Sequence, residues 1–384
     1  MSTTEHAHVR FTARQDLTWY ASIKRGLLDS EPKDAPLLFG PRDRSRRRLV
    51  VLDETVHDHY GERILALLAR YGITHPDPLT IPGGEATKTN ATVERVHAAM
   101  ESWGVPRFDE PLLVWGGGVA HDVAGFAAAT YRRNVPYIMV GTTLVAAIDA
   151  MYALKVATNA HYKNRIGAYH PPVIAYADPA FFATLTDDQI LDGVGEIFKV
   201  AVALDGRLFG LLEAHGARAI SEKFQGQDRE TLAILRRSLA AMAPELSDNP
   251  YEHNPARKSY AGHSISPAME PDITHGTAVV LDLLVTTVLA WQRGHVTTGY
   301  RDRIVALAAA LGLPVWHSVL ECPASLWAAL VDTTRHRGGR QLVPAPGGQP
   351  GTVQYLNSIT EAELSGALDH LRSVADAARP TAQR

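Results

Sequence analysis

Cysteine is almost absent from this sequence of 384 residues, which contains only Cys322. A single cysteine excludes an intramolecular disulfide, argues against a metal site built from thiolates, and is typical of the reducing cytoplasm. Uncharged apolar runs long enough to cross a membrane are also missing, because the most apolar long segment (140–157) contains Asp149 and Lys155. The first residues lack the apolar core of a signal peptide. These absences predict a cytoplasmic protein without a membrane partner.

Neither sign of charge is in excess. The formal net charge is −3, which provides no general attraction to nucleic acid, so no nucleic-acid partner is expected. Hydrophobic residues make up 46% of the chain, which is enough for a packed core. A chain of this length is long enough for two domains.

The pattern of apolar residues changes about halfway along the chain. In the first half, short apolar runs alternate with amphipathic segments, which predicts a mainly parallel sheet covered by helices. The predicted strands lie near 49–53, 78–84, 111–118, 137–143 and 172–179. After about Thr184 the patterns are helical, and a segment rich in glycine and proline follows at 336–350. We therefore expect an α/β Rossmann-like nucleotide-binding domain (1–185), an all-α C-terminal domain (186–384), and a cleft between them.

Three consecutive glycines, Gly116, Gly117 and Gly118, lie between a predicted strand and a predicted helix. Without Cβ atoms this segment can turn tightly and let a phosphate approach the amides at the start of the helix. The pattern is not GxGxxG, so a structural turn and a dinucleotide site are both open. Glu85 and Lys88 in "PGGEATK" favour the dinucleotide site, because a carboxylate after a strand can accept ribose hydroxyls.

Asp53 raises the same question at the end of another predicted strand. A carboxylate at that place is typical of ribose binding in dinucleotide-binding folds. It is also typical of an ordinary cap at the start of the next helix. Both interpretations remain open from the sequence.

One carboxylate and two histidines form a candidate metal site. Glu196 and Lys199 in "GVGEIFK" share one face of a predicted helix, where an exposed ion pair is the alternative. His263 and His275 each lie beside a glycine at the edge of a predicted element. One carboxylate and two imidazoles leave an open position on Zn²⁺, which is the pattern of catalytic sites. The sequence contains neither HExxH nor CxxC, so the spacing alone does not establish the site.

A polar cluster lies between two apolar segments of the first half. It contains Asp149, Lys155, Asn159, Lys163 and Asn164. Lysines beside asparagines suit a phosphorylated or polyhydroxylated ligand. A solvated loop is the alternative, but the cluster follows a strand end, where ligands of open α/β sheets bind.

Six motifs occur together in an order that resembles the sugar phosphate cyclase superfamily, whose best-known member is 3-dehydroquinate synthase. They are PGGEATK, GGGVAHDVAGFAAATYRR, TTLVAAIDA, KNRIGAYHPP, GVGEIFK, and GHSISP followed by HG. The resemblance covers roughly residues 48–345. It implies the two-domain dehydroquinate synthase-like fold, with NAD in the first domain and metal and substrate in the second. The implied metal is zinc, with cobalt as an alternative.

The resemblance also implies three sets of site residues. NAD would be held by Asp53, Glu85, Lys88, Gly116, Gly117, Gly118, Asp122, Thr142, Thr143 and Thr184. The metal would be held by Glu196, His263 and His275. Catalytic residues would be Asp149, Lys155, Asn164 and Lys199, with further substrate contacts from Lys163 and Arg257. Arg133 matches an arginine that reaches the neighbouring subunit's site, which implies a homodimer.

Four further positions bear on the branch of the superfamily and are expected near the substrate. Pro267 stands where dehydroquinate synthases carry a second histidine, which resembles the sedoheptulose 7-phosphate cyclases. Leu246 and His336 resemble the 2-epi-5-epi-valiolone synthases. Tyr260 departs from that group, which usually has Asp there, while dehydroquinate synthases have Asn. The implied product is 2-epi-5-epi-valiolone, and 2-epi-valiolone is the alternative.

The resemblance implies a cyclisation of sedoheptulose 7-phosphate with loss of phosphate, for the biosynthesis of seven-carbon cyclitol natural products, including antibiotics. NAD⁺ would take a hydride from the fifth carbon and return it after phosphate has left, so no NAD is consumed. The metal would polarise the hydroxyl that is oxidised. The alternatives are a 3-dehydroquinate synthase, a metal-dependent polyol dehydrogenase, and a non-catalytic sugar-phosphate-binding protein.

Overall fold

A six-stranded parallel sheet organises the first half of the chain. The structure, a computed structural model, describes residues 10–13, 16–31, 46–161 and 163–378. The strands are β1 (Tyr20–Ile23), β2 (Val50–Asp53), β3 (Leu79–Ile81), β4 (Leu112–Gly116), β5 (Tyr137–Gly141), β6 (Lys155–Thr158), β7 (Ile166–Tyr169), β8 (Ile174–Ala177), β9 (Val343–Pro346) and β10 (Val353–Leu356). The sheet has the order β1-β8-β5-β4-β2-β3, and all its neighbours are parallel. This confirms the predicted parallel sheet.

Helices accompany the sheet along the chain, and its central strands are continuous apolar runs. Every residue of β4 and β5 is buried, as is typical of parallel sheets covered on both faces. The helices of this half are α1 (Glu54–Arg70), α2 (Asn90–Trp103), α3 (Gly118–Thr130) and α4 (Leu144–Ile148). The chain runs from β2 outward to β3 and then places β4 on the other side of β2. Ligands of open α/β sheets bind at such a reversal of strand order, at the carboxyl ends of the strands.

Helices dominate the second half of the chain, as predicted. They are α5 (Asp187–Ala203), α6 (Gly206–Leu211), α7 (Ala217–Ser221), α8 (Arg229–Asp248), α9 (His275–Gln292), α10 (Thr298–Ala310), α11 (Pro323–His336) and α12 (Glu361–Ala378). Helix α9 is apolar on nearly every side and lies in the middle of this half, packed against α5, α10 and α12. Among the described residues, α9 alone is long and apolar enough to cross a membrane, and most of it is buried within the protein.

The structure adds three pieces of β-structure that the apolar pattern did not reveal. Strand β1 lies in the polar lead-in and joins the sheet as an edge strand beside β8. β6 and β7 form an antiparallel hairpin that contains part of the polar cluster. β9 lies in the glycine- and proline-rich segment 336–350, pairs with β10, and packs against α9. Strand β9 contains Pro344 and Pro346. Because proline within sheets is tolerated only at edges, these residues argued against predicting a strand here.

The predicted domain boundary at 185/186 falls where strands give way to helices. The last strand of the large sheet, β8, ends at Ala177, and α5 begins at Asp187. Thr186 caps α5 through its side chain. The ends of the two predicted domains, residues 1–9 and 379–384, lie outside the described residues, so the domain limits stay predictions.

Two glycines allow α5 and α9 to approach each other closely. A Cβ atom on Gly195 would lie 2.4 Å from the carbonyl oxygen of Gly276, and one on Gly276 would lie 1.9 Å from the carbonyl oxygen of Asp192. Real Cβ atoms do not come this near to backbone oxygens, so only glycine fits at either position. The next residue in α5 is Glu196, and the residue before Gly276 is His275. The glycine contact therefore brings two predicted metal ligands together.

Replacing Gly276 with alanine should push α5 and α9 apart. We expect Gly276→Ala to lower the free energy of unfolding by roughly 1–3 kcal/mol, as overpacking usually does, and to weaken zinc binding. Thermal unfolding and zinc content measure the two effects. Gly210→Ala is the control, because a Cβ on Gly210 in α6 meets nothing within 4 Å. A Gly276→Ala protein with unchanged stability and zinc content would contradict the packing argument.

Candidate active site

A cleft with a volume of about 1120 Å³ lies between the carboxyl ends of the sheet strands and the helical half. Both halves of the chain line it, which confirms the expected cleft between them. The predicted site residues that line it are Asp53, Glu85, Lys88, Gly117, Gly118, Asp122, Thr142, Thr143, Asp149, Lys155, Lys163, Asn164, Thr184, His263 and His275. Residues more than 200 positions apart in the sequence therefore meet around one space.

The glycine loop forms one wall of this cleft. Strand β4 ends at Gly116, and α3 begins at Gly118. A Cβ on Gly116 would lie 2.5 Å from Ala120 Cβ, and one on Gly117 would lie 3.1 Å from Thr143 Cγ2. Close packing therefore favours glycine here. Gly117, Gly118 and Val119 line the cleft, so the start of α3 borders the space in which a phosphate could bind.

Lys88 is the centre of a polar network beside this loop. Its side chain is 4% exposed, and its Nζ pairs with the Asp122 carboxylate and donates a hydrogen bond to Asn164 Oδ1. The Asn164 backbone N–H donates to Asn159 Oδ1 at 2.9 Å, and Asn159 Nδ2 donates to Glu85 Oε1 at 2.9 Å. Residues predicted for NAD and residues predicted for substrate thus belong to one connected network.

Four other predicted cofactor residues also shape the local backbone. Asp53 accepts a backbone N–H bond of 2.9 Å at the start of α1, and Thr143 accepts one of 3.1 Å at the start of α4. Thr142 is buried and its N–H donates to the carbonyl of Gly116 at 2.9 Å. Thr184 donates to a backbone carbonyl at 3.2 Å. The capping role of Asp53 is therefore observed, and its place on the cleft wall is compatible with a ribose contact as well.

Glu196, His263 and His275 come together as predicted. Their ligand atoms all lie within 4.8 Å of one another. Glu196 Oε1 is 3.2 Å from His275 Nε2 and 3.8 Å from His263 Nε2. Glu196 is fully buried, and its other carboxylate oxygen pairs with Lys199, which is also buried. The exposed ion pair that was the alternative for Glu196 and Lys199 is therefore excluded.

Both imidazoles are oriented by partners on the side away from Glu196. His263 Nδ1 lies 3.0 Å from the carbonyl oxygen of Ala261, and His275 Nδ1 lies 3.0 Å from Glu270 Oε1. Glu270 is itself held by Lys163, whose Nζ donates to it at 2.7 Å. When Nδ1 carries the proton for these bonds, each Nε2 offers its lone pair toward the shared centre. Metal-binding histidines commonly have such partners.

Burial and neighbouring groups shift the pKa values of the two histidines in opposite directions. Burial lowers the pKa of His263 to about 3, and the Lys199 cation contributes in the same direction. Burial also acts to lower the pKa of His275, but hydrogen bonds to Glu196 and Glu270 raise it to about 10. Burial would raise the pKa of Glu196, yet Lys199 and the histidines hold it well below its usual value. One carboxylate and two imidazoles with convergent ligand atoms fit Zn²⁺ or Co²⁺.

A second carboxylate, Glu252, forms ion pairs with the cations predicted to bind substrate. Glu252 Oε1 lies 2.9 Å from Lys155 Nζ and also pairs with Arg257, while the Tyr260 hydroxyl donates to Glu252 Oε2 at 2.6 Å. The Arg257 guanidinium lies 4.7 Å from the centre of the Tyr260 ring. Burial would lower the pKa of Lys155, but Tyr260 and Glu252 together raise it. Lys155 therefore stays a cation at neutral pH.

Six residues predicted for the substrate site are not among those that line the cleft: Arg257 and Tyr260, which contact Glu252, and the four residues described next. His336 Nε2 is 3.3 Å from Asp332 Oδ2, and both side chains are about half exposed. Leu246 packs against the hydrophobic core from α8, and Pro267 is exposed in a short 3₁₀ turn. Arg133 is exposed in the loop after α3. Their roles toward substrate stay predictions.

Three residues that the sequence interpretation missed support this site. Glu270 lies five residues before His275, and a carboxylate near a metal histidine is a recognisable signal. Glu252 had no such signal, because a backbone in the left-handed region (φ 56°) turns it back toward the lysine. Arg337 stands next to the predicted His336, but it is Arg337 that lies over the Tyr260 ring. Neighbours on a helix end point in different directions, which sequence spacing did not resolve.

Comparisons with known proteins agree with this geometry. Residues 78–192 match the family model of the 3-dehydroquinate synthase N-terminal domain, and residues 193–334 match that of its C-terminal domain. A 2-epi-5-epi-valiolone synthase from Actinoplanes sp. is 43% identical over 332 residues, covering 84% of this chain and 83% of that protein. A 3-dehydroquinate synthase from Caldanaerobacter subterraneus is 31% identical, covering 77% of this chain and 83% of that protein.

A solved structure is similar over nearly the whole chain. It is ValA, the 2-epi-5-epi-valiolone synthase from Streptomyces hygroscopicus subsp. jinggangensis, with NAD⁺ and Zn²⁺ bound. The TM-score is 0.87 and the identity 38%, covering 95% of this chain and 99% of that one.

Zinc binding should release a proton from His275. With a pKa of about 10 in the metal-free protein, this imidazole is a cation at pH 7.5 and must become neutral to ligate. His263, with a pKa of about 3, is neutral already. We expect release of about one proton per zinc ion, and an affinity that falls as the pH falls. Calorimetric titration in buffers of different ionisation enthalpy measures the proton count. Zinc binding without proton release would contradict the assignment of His275 as a ligand.

A side chain at Gly117 should block the cofactor cleft. The β-carbon of valine would lie 3.1 Å from Thr143 Cγ2, and its methyl groups would add bulk to a loop that lines the cleft. We expect Gly117→Val to weaken NAD binding by at least roughly tenfold, because the pyrophosphate needs close backbone approach. Gly299→Val is the control, since a Cβ on Gly299 meets nothing within 4 Å. Equal NAD affinity in the two variants, measured by calorimetry, would remove the loop from the cofactor site.

Proposed function

The chain belongs to the 3-dehydroquinate synthase family, and we propose that it is a sedoheptulose 7-phosphate cyclase that forms 2-epi-5-epi-valiolone. It is an NAD- and zinc-dependent enzyme, a carbon–oxygen lyase that eliminates phosphate from a sugar phosphate. Its place is the biosynthesis of seven-carbon cyclitol natural products. Similarity to several 2-epi-5-epi-valiolone synthases over most of the chain supports this choice within the family.

The convergence of Glu196, His263 and His275 at the edge of the cleft carries the proposal. Their two imidazoles line the same space as the glycine loop. Lys155 and Lys163 line it as well. A metal site, a dinucleotide loop and cations for a phosphate ester are the three elements that a redox-assisted phosphate elimination requires.

The residues present fit both cofactors. Glu196, His263 and His275 would hold zinc, a ligand set typical of catalytic sites. The start of α3 and the network around Lys88 would hold the dinucleotide. When bound, zinc polarises a substrate hydroxyl, and NAD⁺ accepts a hydride and later returns it.

The lysines and Arg257 bind the phosphate ester and stay charged. Burial acts to lower the pKa of Lys155, Lys163 and Lys199, but nearby carboxylates, with Tyr260 also acting on Lys155, raise all three above the usual value. Charged lysines stabilise the departing phosphate but cannot remove a proton. We assign removal of the proton beside the oxidised carbon to an oxygen of the substrate's own phosphate, which these cations would orient.

The substrate is selected by the absence of a partner for a carboxylate. The dehydroquinate synthase substrate carries a carboxylate where sedoheptulose 7-phosphate carries a neutral hydroxymethyl group. Pro267 and His336 replace the histidine and lysine that the family resemblance would place nearby. A carboxylate that a site desolvates without a cationic partner costs several kcal/mol. Together with the similarity to 2-epi-5-epi-valiolone synthases, this supports the seven-carbon sugar phosphate rather than the carboxylated one as the substrate.

Tyr260 sets the face on which the ring closes. Its hydroxyl is fixed by Glu252, and its ring by Arg257. The related enzymes usually have a smaller acidic residue at this position. Because the larger ring restricts the space beside Lys155, 2-epi-valiolone is the second candidate product.

The enzyme works as a homodimer in the cytoplasm. Arg132, Arg133 and Asn134 all have positive φ values, between 46° and 73°, and all three side chains are exposed. Non-glycine residues in this region are uncommon and cluster at functional sites, which supports a role for this exposed loop. We assign to this loop the delivery of Arg133 to the partner subunit's site. The chain has a single cysteine, the exposed Cys322, which is typical of proteins in a reducing compartment.

Turnover of two substrates in parallel tests the proposal. Purified protein with NAD⁺ and Zn²⁺ should convert sedoheptulose 7-phosphate into a cyclitol and inorganic phosphate. It should convert 3-deoxy-arabino-heptulosonate 7-phosphate roughly a thousandfold more slowly in kcat/KM, which corresponds to about 4 kcal/mol. NMR of the product distinguishes 2-epi-5-epi-valiolone from 2-epi-valiolone. Efficient formation of dehydroquinate, or net accumulation of NADH, would overturn the proposal.

A further inference from the structure

Arg337 connects the metal site with the substrate side of the cleft. It follows the last residue of α11 and is partly buried. Its Nη2 donates to the carbonyl oxygen of His263 at 2.9 Å, and its Nη1 donates to the carbonyl oxygen of Leu342 at 3.1 Å. Its guanidinium also lies 4.8 Å from the centre of the Tyr260 ring. One side chain thus touches a predicted zinc ligand and the residue that departs from the family pattern.

The loop that carries His263 is held from two further directions. The buried carboxylate of Asp282 accepts backbone N–H bonds of 2.6, 2.6 and 3.0 Å from Ser264, Ile265 and Ser266. Thr333 donates to the carbonyl oxygen of Ser264 at 3.0 Å. Asp282 therefore fixes the amides of the loop, while α11 and Arg337 fix its carbonyls. At His263, Arg337 supplies the bond to the backbone carbonyl oxygen, while the His263 N–H donates to the carbonyl oxygen of Tyr260 at 3.0 Å.

Tyr260 is enclosed by charged groups at its ring and its hydroxyl. Arg257 and Arg337 lie 4.7 and 4.8 Å from the ring centre. The hydroxyl is bonded to Glu252, which pairs with Lys155. A cation near an aromatic ring within about 6 Å is attracted to it, and the attraction strengthens with burial. Arg337 therefore helps to fix the ring in one position.

We infer that Arg337 is a positioning residue that sets the zinc ligand His263 and the specificity residue Tyr260 relative to each other. This rests on the proposed function for the role of Tyr260, but the contact with His263 stands independently of any reaction. Arginine suits the task because its planar fork can donate to carbonyls in the plane while stacking on a ring with its face. Lysine has a single point of charge and cannot satisfy both contacts at once.

The variant Arg337→Gln tests the inference with a readout that needs no substrate. Partners bonded to a metal-ligating side chain typically change metal affinity by about 10–100-fold when removed. Arg337 bonds the His263 backbone rather than its imidazole, so we expect the low end of that range, a zinc dissociation constant about tenfold higher in competition with a chelator. We expect kcat/KM for sedoheptulose 7-phosphate to fall and the ratio of valiolone stereoisomers to change. Arg337→Lys should recover zinc affinity more fully than the stereoisomer ratio.

Arg335→Gln is the matched control, because Arg335 is exposed two residues earlier in α11 and loses the same charge. It should leave zinc affinity and product unchanged. Thermal unfolding identifies a variant that is merely destabilised, in which case Arg337→Lys decides. Wild-type zinc affinity in a folded Arg337→Gln protein would overturn the inference. Absence of turnover by the wild type would overturn the proposed function instead and leave the zinc measurement valid.

Discussion

The contact between α5 and α9 at two glycines is the constraint on which the site depends. Backbone oxygens occupy the positions where Cβ atoms would stand on Gly195 and Gly276. The adjoining residues, Glu196 and His275, are consequently held with their ligand atoms 3.2 Å apart. Around this contact both helices are buried and largely apolar, α5 from Gly193 onward, so a charged carboxylate there requires compensation. Lys199, one helical turn later, supplies it.

The remaining parts of the site reach this centre from separate elements. The hairpin of β6 and β7 and the turn it encloses bring Lys155 to Glu252 and Lys163 to Glu270. Through Glu270 the hairpin is linked to His275, and through Asn164 it is linked to the Lys88 network beside the glycine loop. The residues predicted to bind metal, phosphate and cofactor are therefore coupled by hydrogen bonds and ion pairs across the cleft between the two halves.

Much of this was predictable from the sequence because its signals are local. Buried parallel strands are unbroken apolar runs, and a glycine run between a strand and a helix predicted the tight turn observed at 116–118. The helix pattern correctly placed Glu196 on a helix. Its combination with two histidines then indicated a catalytic zinc site. Glu252, by contrast, is turned by a left-handed backbone, and β9 was concealed by its prolines. The choice between His336 and Arg337 depends on the direction of side chains at a helix end, which tertiary packing decides.

The central claim is that the cleft performs oxidation and reduction on one substrate without net consumption of NAD. Sedoheptulose 7-phosphate labelled with deuterium at the fifth carbon tests this most directly. If the hydride leaves and returns within one closed site, the cyclitol retains the full label at that carbon, and the amount of NAD⁺ does not change. Loss of the label to solvent, or formation of one NADH for each substrate consumed, would contradict the account.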